Sequence, residues 1–91
     1  MRLKLYVLGQ TQRSLTAIKN LRALCEEHGG NFELHVIDVL ERPELAEDEK
    51  IMATPTLIKE MPLPMRRMIG DLSDRDKVLL GLDIQNIDET P

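Results

Sequence analysis

The side chains of this sequence that could do chemistry are few and far apart. A dithiol redox centre needs a thiolate of lowered pKa at the start of a helix, with a second cysteine to resolve the mixed disulfide. The chain has one cysteine, Cys25. It falls on the apolar stripe of a helical repeat, where a free cysteine behaves as a small buried hydrophobe. A lone cysteine also excludes an intrachain disulfide and fits a reducing compartment. His28 and His35 have no cysteine or paired carboxylate at ligand spacing, so no metal is expected. The acidic run Glu44–Glu49 lacks the alternating oxygen ligands and the glycine of a calcium loop, and reads as a solvated helix face. Gly9 and Gly70 make no phosphate-binding loop. Nothing here assembles a catalytic constellation, so neither an enzyme nor a cofactor is expected. One cluster points instead to binding: Arg66-Arg67 behind Met61-Pro62-Leu63-Pro64-Met65. It is either a proline-stiffened loop with two solvated arginines or an edge for an acidic partner, since arginine makes directional bidentate contacts. Met61, Met65 and Met68 supply adaptable packing in a core or at an interface.

The elements that must position these groups follow from hydrophobic period. Leu3 to Leu8 begins by alternating and ends as an apolar run, which predicts a strand. After the polar break at Gly9–Arg13, Leu15, Ala17, Ile18, Leu21, Leu24 and Cys25 recur at helical spacing. Thr11 or Ser14 can cap that helix, and His28-Gly29-Gly30-Asn31 ends it. Phe32 to Leu40 reads as a second strand, apolar on both sides at Val36-Ile37-Asp38-Val39-Leu40, as in the centre of a covered sheet. Pro43 with the acids behind it opens a short helix through Lys50. From Ile51 the period blurs. A strand follows Pro55, Met61–Pro64 turns, Met65 to Asp71 is a further strand, and Ser73 with Asp76 opens a last helix through Leu82. The order is β-α-β-α-β-β-α, one α/β domain over residues 1–84 with a flexible polar tail at 85–91. A parallel crossover followed by a hairpin is the thioredoxin layout, and Thr54-Pro55 stands where that fold places its cis-proline. At the start of the first helix, where thiols would act, stand Thr11-Gln12-Arg13-Ser14.

Composition bounds the function further. Ninety-one residues, 42% of them hydrophobic, make one small core, and disorder is not expected. Twelve Lys and Arg against sixteen Asp and Glu give a net charge of −4, and only one Tyr, one Phe and no Trp are present. Nucleic-acid binding, which needs a basic surface or a stacking platform, is not expected. No apolar run approaches the ~18 residues of a membrane span, and Met1-Arg2-Leu3-Lys4 leads straight into a strand rather than a signal peptide, so a cytoplasmic protein is expected.

In order along the chain, Leu3-Lys4-Leu5-Tyr6-Val7 with Gly9, Val36-Ile37-Asp38-Val39-Leu40, Pro43–Ile51, Ala53-Thr54-Pro55-Thr56-Leu57, Pro62 and Pro64 with Arg66-Arg67, Ile69–Ser73 and Lys77–Asp83 resemble the KaiB family of the bacterial circadian system, over about residues 3–84. The resemblance implies a non-enzymatic clock component that binds the N-terminal ATPase ring of the KaiC hexamer. There it sequesters KaiA, which moves KaiC toward dephosphorylation. It also implies a fold-switching, metamorphic chain: a tetramer of order βαββααβ in the ground state and a thioredoxin-like monomer when bound.

Carried onto this sequence, the KaiC contact is expected at Asp48, Lys50, Thr54 and Pro55, and the KaiA-facing strand at Glu33 and His35. The switching half begins near Ile51. Pro55, Pro62 and Pro64 each offer an isomerisation of tens to hundreds of seconds, and Gly81 and Asp83 are expected to set the balance between folds. Gln12 stands where the family commonly has proline, and Glu33 and His35 stand where small or basic residues are usual. The alternative is therefore a KaiA-independent paralogue in a KaiB–KaiC stress-response timer, or a holdase-like binding protein. A sensory module like that of the kinase SasA is a further reading, against which the short tail counts.

Overall fold

The computed structural model describes residues 1–84, and the segment expected to be a flexible tail, 85–91, lies outside them. The elements are β1 (Arg2–Val7), α1 (Gln12–His28), β2 (Glu33–Asp38), α2 (Pro43–Asp48), β3 (Thr56–Met61), β4 (Arg66–Ile69) and α3 (Arg75–Gly81). The expected β-α-β-α-β-β-α order is the one formed, and βαββααβ is not the order adopted here. The four strands make one sheet of order β2-β1-β3-β4. β1 runs parallel to β2 and antiparallel to β3, and β3 and β4 form the antiparallel hairpin.

The alternation in β1 sets the two faces of the sheet. Leu3, Leu5 and Val7 pack with Leu57 against Ala17, Leu21 and Leu24 of α1, Val78 of α3 and Leu82 just after it, forming one core. Each leucine buried in this way contributes about 1.5–3 kcal/mol. Lys4 and Tyr6 point to the other face, where α2 lies, with Lys4, Leu45 and Glu60 lining one cleft. Cys25 is half-buried against the core, and burial pushes its thiol pKa up, the opposite of activation.

Two local expectations, at β2 and at α3, are corrected, and of the two caps expected for α1 the structure selects one. β2 is an edge strand, not a central one, and Val36 keeps 38% of its surface exposed. Apolar residues on both faces report cover above and below a strand, not a neighbour on each side. Thr11 caps α1 by accepting from the Ser14 N–H, so the helix begins at Gln12, one turn before the apolar stripe starts. Ser14 is buried within that first turn, where its Oγ accepts the Leu8 N–H at 3.0 Å and the Thr11 hydroxyl at 2.7 Å. At α3 the cap is Asp74, accepting the Lys77 N–H at 3.2 Å, rather than Ser73.

Candidate functional site

The segment from α2 to the start of β3 forms a ledge on the surface. Pro43 opens α2 at a position where its missing N–H leaves one orphan donor fewer, and no side chain caps the helix. The helix is closed by a Schellman pair: the Ile51 N–H donates to the Ala46 carbonyl at 2.9 Å and the Lys50 N–H to that of Glu47 at 3.0 Å. Lys50 occupies the left-handed position of this motif, at φ +53°. Asp48 and Lys50 are exposed and Thr54 is half-buried. Pro55 is buried; its peptide bond to Thr54 is cis, and its carbonyl accepts the Gly70 N–H at 2.9 Å. Pro55 thus sits buried within the turn, tied to Gly70, while Asp48, Lys50 and Thr54 edge it. Between them stands Met52, 92% exposed, the barest large hydrophobic side chain of the described residues. It was not singled out in the sequence because it sits where no period is readable.

Arg67 ties this ledge to the sheet. Its guanidinium donates to the carbonyls of Glu49 at 2.7 Å and Lys50 at 3.3 Å, with the Glu49 carboxylate 3.8 Å away. Arg66, next in the strand, bonds Asp83 at 3.3 Å instead. Both arginines are thus engaged within the chain. The exposed Met61, Pro62, Leu63, Pro64 and Met65 form the hairpin tip beyond them, and the Met61-Pro62 and Leu63-Pro64 bonds are cis.

Glu33 and His35 lie exposed on edge strand β2. The Glu33 carboxylate accepts from Arg2 at 2.8 Å and from His35 Nε2 at 3.2 Å, and these two bonds hold its pKa below the usual range. They border an open cleft of about 620 Å³ whose floor carries the Lys4–Glu60 pair, 3.0 Å apart.

Gly81 and Asp83 meet at the end of α3. Asp83 has φ +58° and closes the helix with the same paired bonds as α2: Asp83 N–H to Leu80 at 3.1 Å, Ile84 N–H to Leu79 at 3.0 Å. Its carboxylate accepts from Lys59 at 2.9 Å, a side chain only 1% exposed, and from Arg66. The two donors, Lys59 first, hold the Asp83 carboxyl below its ordinary pKa. A Cβ on Gly81 would come within 2.5 Å of the Met68 sulfur. Among the described residues no group of three His, Cys, Asp or Glu side chains is placed to hold a metal, and no helix is long and apolar enough to cross a membrane.

Comparison with known proteins supplies a family and a fold. Residues 4–84 match the family described as KaiB domain. The circadian clock oscillator protein KaiB of Synechococcus elongatus is 60% identical over 83 residues, spanning 90% of this chain and 81% of that protein. Its counterpart in Prochlorococcus marinus is 59% identical, across 90% of this chain and 79% of the other. Among solved structures, the N-terminal domain of Synechococcus elongatus SasA superposes with a TM-score of 0.72 at 26% identity, covering 93% of this chain and 85% of that one. Chloroplastic thioredoxin z superposes with a TM-score of 0.74 at 23% identity, over 91% of this chain and 76% of its own, a likeness of fold alone.

Proposed function

The chain belongs to the KaiB family, and from that premise we propose that it is a cytoplasmic circadian clock regulator that acts by binding, with no catalysis of its own. Its partner is the KaiC hexamer, engaged at the N-terminal ATPase ring through the ledge of Asp48, Lys50 and Thr54, with Pro55 fixing the turn. The observation that carries this is the ledge itself: charged ends around a bare Met52, on a segment tied to the sheet by Arg67. A charged rim around an exposed apolar side chain is the anatomy of a protein-binding patch. Bound there, the chain sequesters KaiA through the Glu33–His35 strand and moves KaiC toward dephosphorylation. The thioredoxin-like form is the binding monomer, and a tetramer of the other fold is its reserve, with the stretch from Ile51 that holds Pro55, Pro62, Pro64, Gly81 and Asp83 as the part that refolds.

A second reading, a KaiA-independent paralogue in a stress-response timer or a holdase, is favoured by one observation. The exposed strand carries an acid, Glu33, whose carboxylate engages both Arg2 and His35, at the edge where the family usually has small or basic residues.

Light scattering on the free chain, followed by titration with a KaiC ring plus nucleotide, tests the proposal. A monomer that binds promptly means the thioredoxin-like form is the resting state; a tetramer that binds over hours means binding waits on the switch. Absence of binding to KaiC in either phosphorylation state overturns the reading in favour of a holdase. Capture of KaiA by the bound complex decides between the two KaiB readings.

A further inference from the structure

The two short helices end alike, and neither uses glycine to do so. α1 stops on Gly29 at φ +47°, but the left-handed positions after α2 and α3 are held by Lys50 at φ +53° and Asp83 at φ +58°. A residue with a Cβ is disfavoured in that conformation, lysine more than aspartate, whose short polar side chain can bond locally. Something outside each helix must therefore hold its end. At α3 the holders are Lys59 and Arg66, through the Asp83 carboxylate. At α2 the Lys50 side chain is exposed and makes no such bond among the described residues, and the backbone is held instead.

Arg67 does the holding. Its two terminal nitrogens reach the Glu49 and Lys50 carbonyls at 2.7 and 3.3 Å. These lie just past the last turn of α2, where carbonyls lack partners within the helix. A planar fork can span two acceptors, whereas a lysine ammonium is a single point of charge. We propose that Arg67 is a positioning residue that fixes the left-handed turn at Lys50, and through it the course of the 49–55 ledge and its affinity for a partner. The last clause rests on the binding reading above; the first does not.

Amide exchange in the free chain and titration with the KaiC ring test the two parts separately. Lys50 and Ile51 donate the bonds that close α2, so their amides are expected to exchange about tenfold faster in both Arg67→Gln and Arg67→Lys, the worth of one charge-assisted hydrogen bond. The Leu5 and Tyr6 amides keep their protection, which separates the effect from global loosening. Glycine at position 50 needs no holder, so in a Lys50→Gly background Arg67→Gln is expected to change the Ile51 amide by less than about threefold. Affinity for the ring is expected to fall about tenfold in both Arg67 variants and to hold in Arg66→Gln. Wild-type protection at Lys50 and Ile51 in Arg67→Gln overturns the proposal, as does Arg67→Lys behaving as wild type. Faster exchange with undiminished affinity overturns the link to partner binding. A wild-type chain that does not bind the ring overturns the functional reading instead, and the exchange results then decide the role of Arg67 alone.

Discussion

Asp83 answers two cations, and one of them, Lys59, has no water to turn to. Replacing Asp83 by Asn leaves a buried ammonium without its counter-charge, a change that is strongly destabilising when the partner is desolvated. The pH dependence has a definite sign. The Asp83 carboxyl has its pKa lowered in the folded chain, first by Lys59 and then by Arg66. It therefore adds stability above its unfolded value, about 3.9, and that stability is lost as pH falls through the folded value. Urea midpoints of wild type and Asp83→Asn are expected to differ by a constant amount above about pH 5 and to converge as pH drops below about 4. A gap that does not shrink as pH falls below about 4 would assign the effect to something other than charge. Gly81 makes a second prediction. Alanine there gains about 1 kcal/mol of helix propensity, but its Cβ meets the flexible end of Met68. Gly81→Ala is thus expected to be better tolerated in a Met68→Ala background by about 1 kcal/mol, measured as a double-mutant cycle. Neither contact was legible in the sequence. Lys59 looks like any strand lysine between Ile58 and Glu60, and no spacing rule reaches the 24 residues to its partner.

Elements were more legible than contacts. The 3–4 spacing of Leu21 and Leu24 marked α1 and the alternation of Leu3, Leu5 and Val7 marked β1, because both patterns are set locally by the burial of one face, while after Ile51 proline and capping signals had to place the elements. The neighbours of each strand are another matter. β2 looked central and is an edge, since pairing is decided by the whole sheet. The caps were less legible, two candidates standing at α1 and the wrong one, Ser73 in place of Asp74, being read at α3, because several short polar residues stood within one turn. At α1 the two candidates have different tasks, and this separates them experimentally. Thr11→Ala removes a cap and is expected to cost about 1 kcal/mol. Ser14→Ala strands the Leu8 N–H at the end of β1 and is expected to cost about 1–3 kcal/mol. Denaturant unfolding of the two variants checks the order, and Ser14→Ala being the milder would refute it.

For the whole molecule, the ledge of the candidate site was half legible. The resemblance pointed to Asp48, Lys50 and Thr54 and the sequence to Arg67, whereas the bareness of Met52 and the bonds of Arg67 to the Glu49 and Lys50 carbonyls emerged only from the assembled chain. A surface is made by what lies behind it, which a linear reading does not contain. The sheet order makes one further prediction. β1 is bonded on both sides, to β2 and to β3, while β2 and β4 each have a free edge within the described residues. Amides of Leu5 and Tyr6 are expected to exchange only through global unfolding, while those of β4 exchange through smaller openings. Equal protection of β1 and β4 would mean that the domain opens as a single unit.

Arg66 and Arg67 are neighbours in a strand, so they face opposite sides of the sheet, one toward the end of α3 and the other toward the end of α2. A slip of β4 by one residue along β3 would exchange those faces. Each guanidinium would then be turned away from the helix it holds, and both helix ends would be released in the same step. Two secondary-structure elements on opposite sides of the protein are in this way latched by the phase of a single four-residue strand.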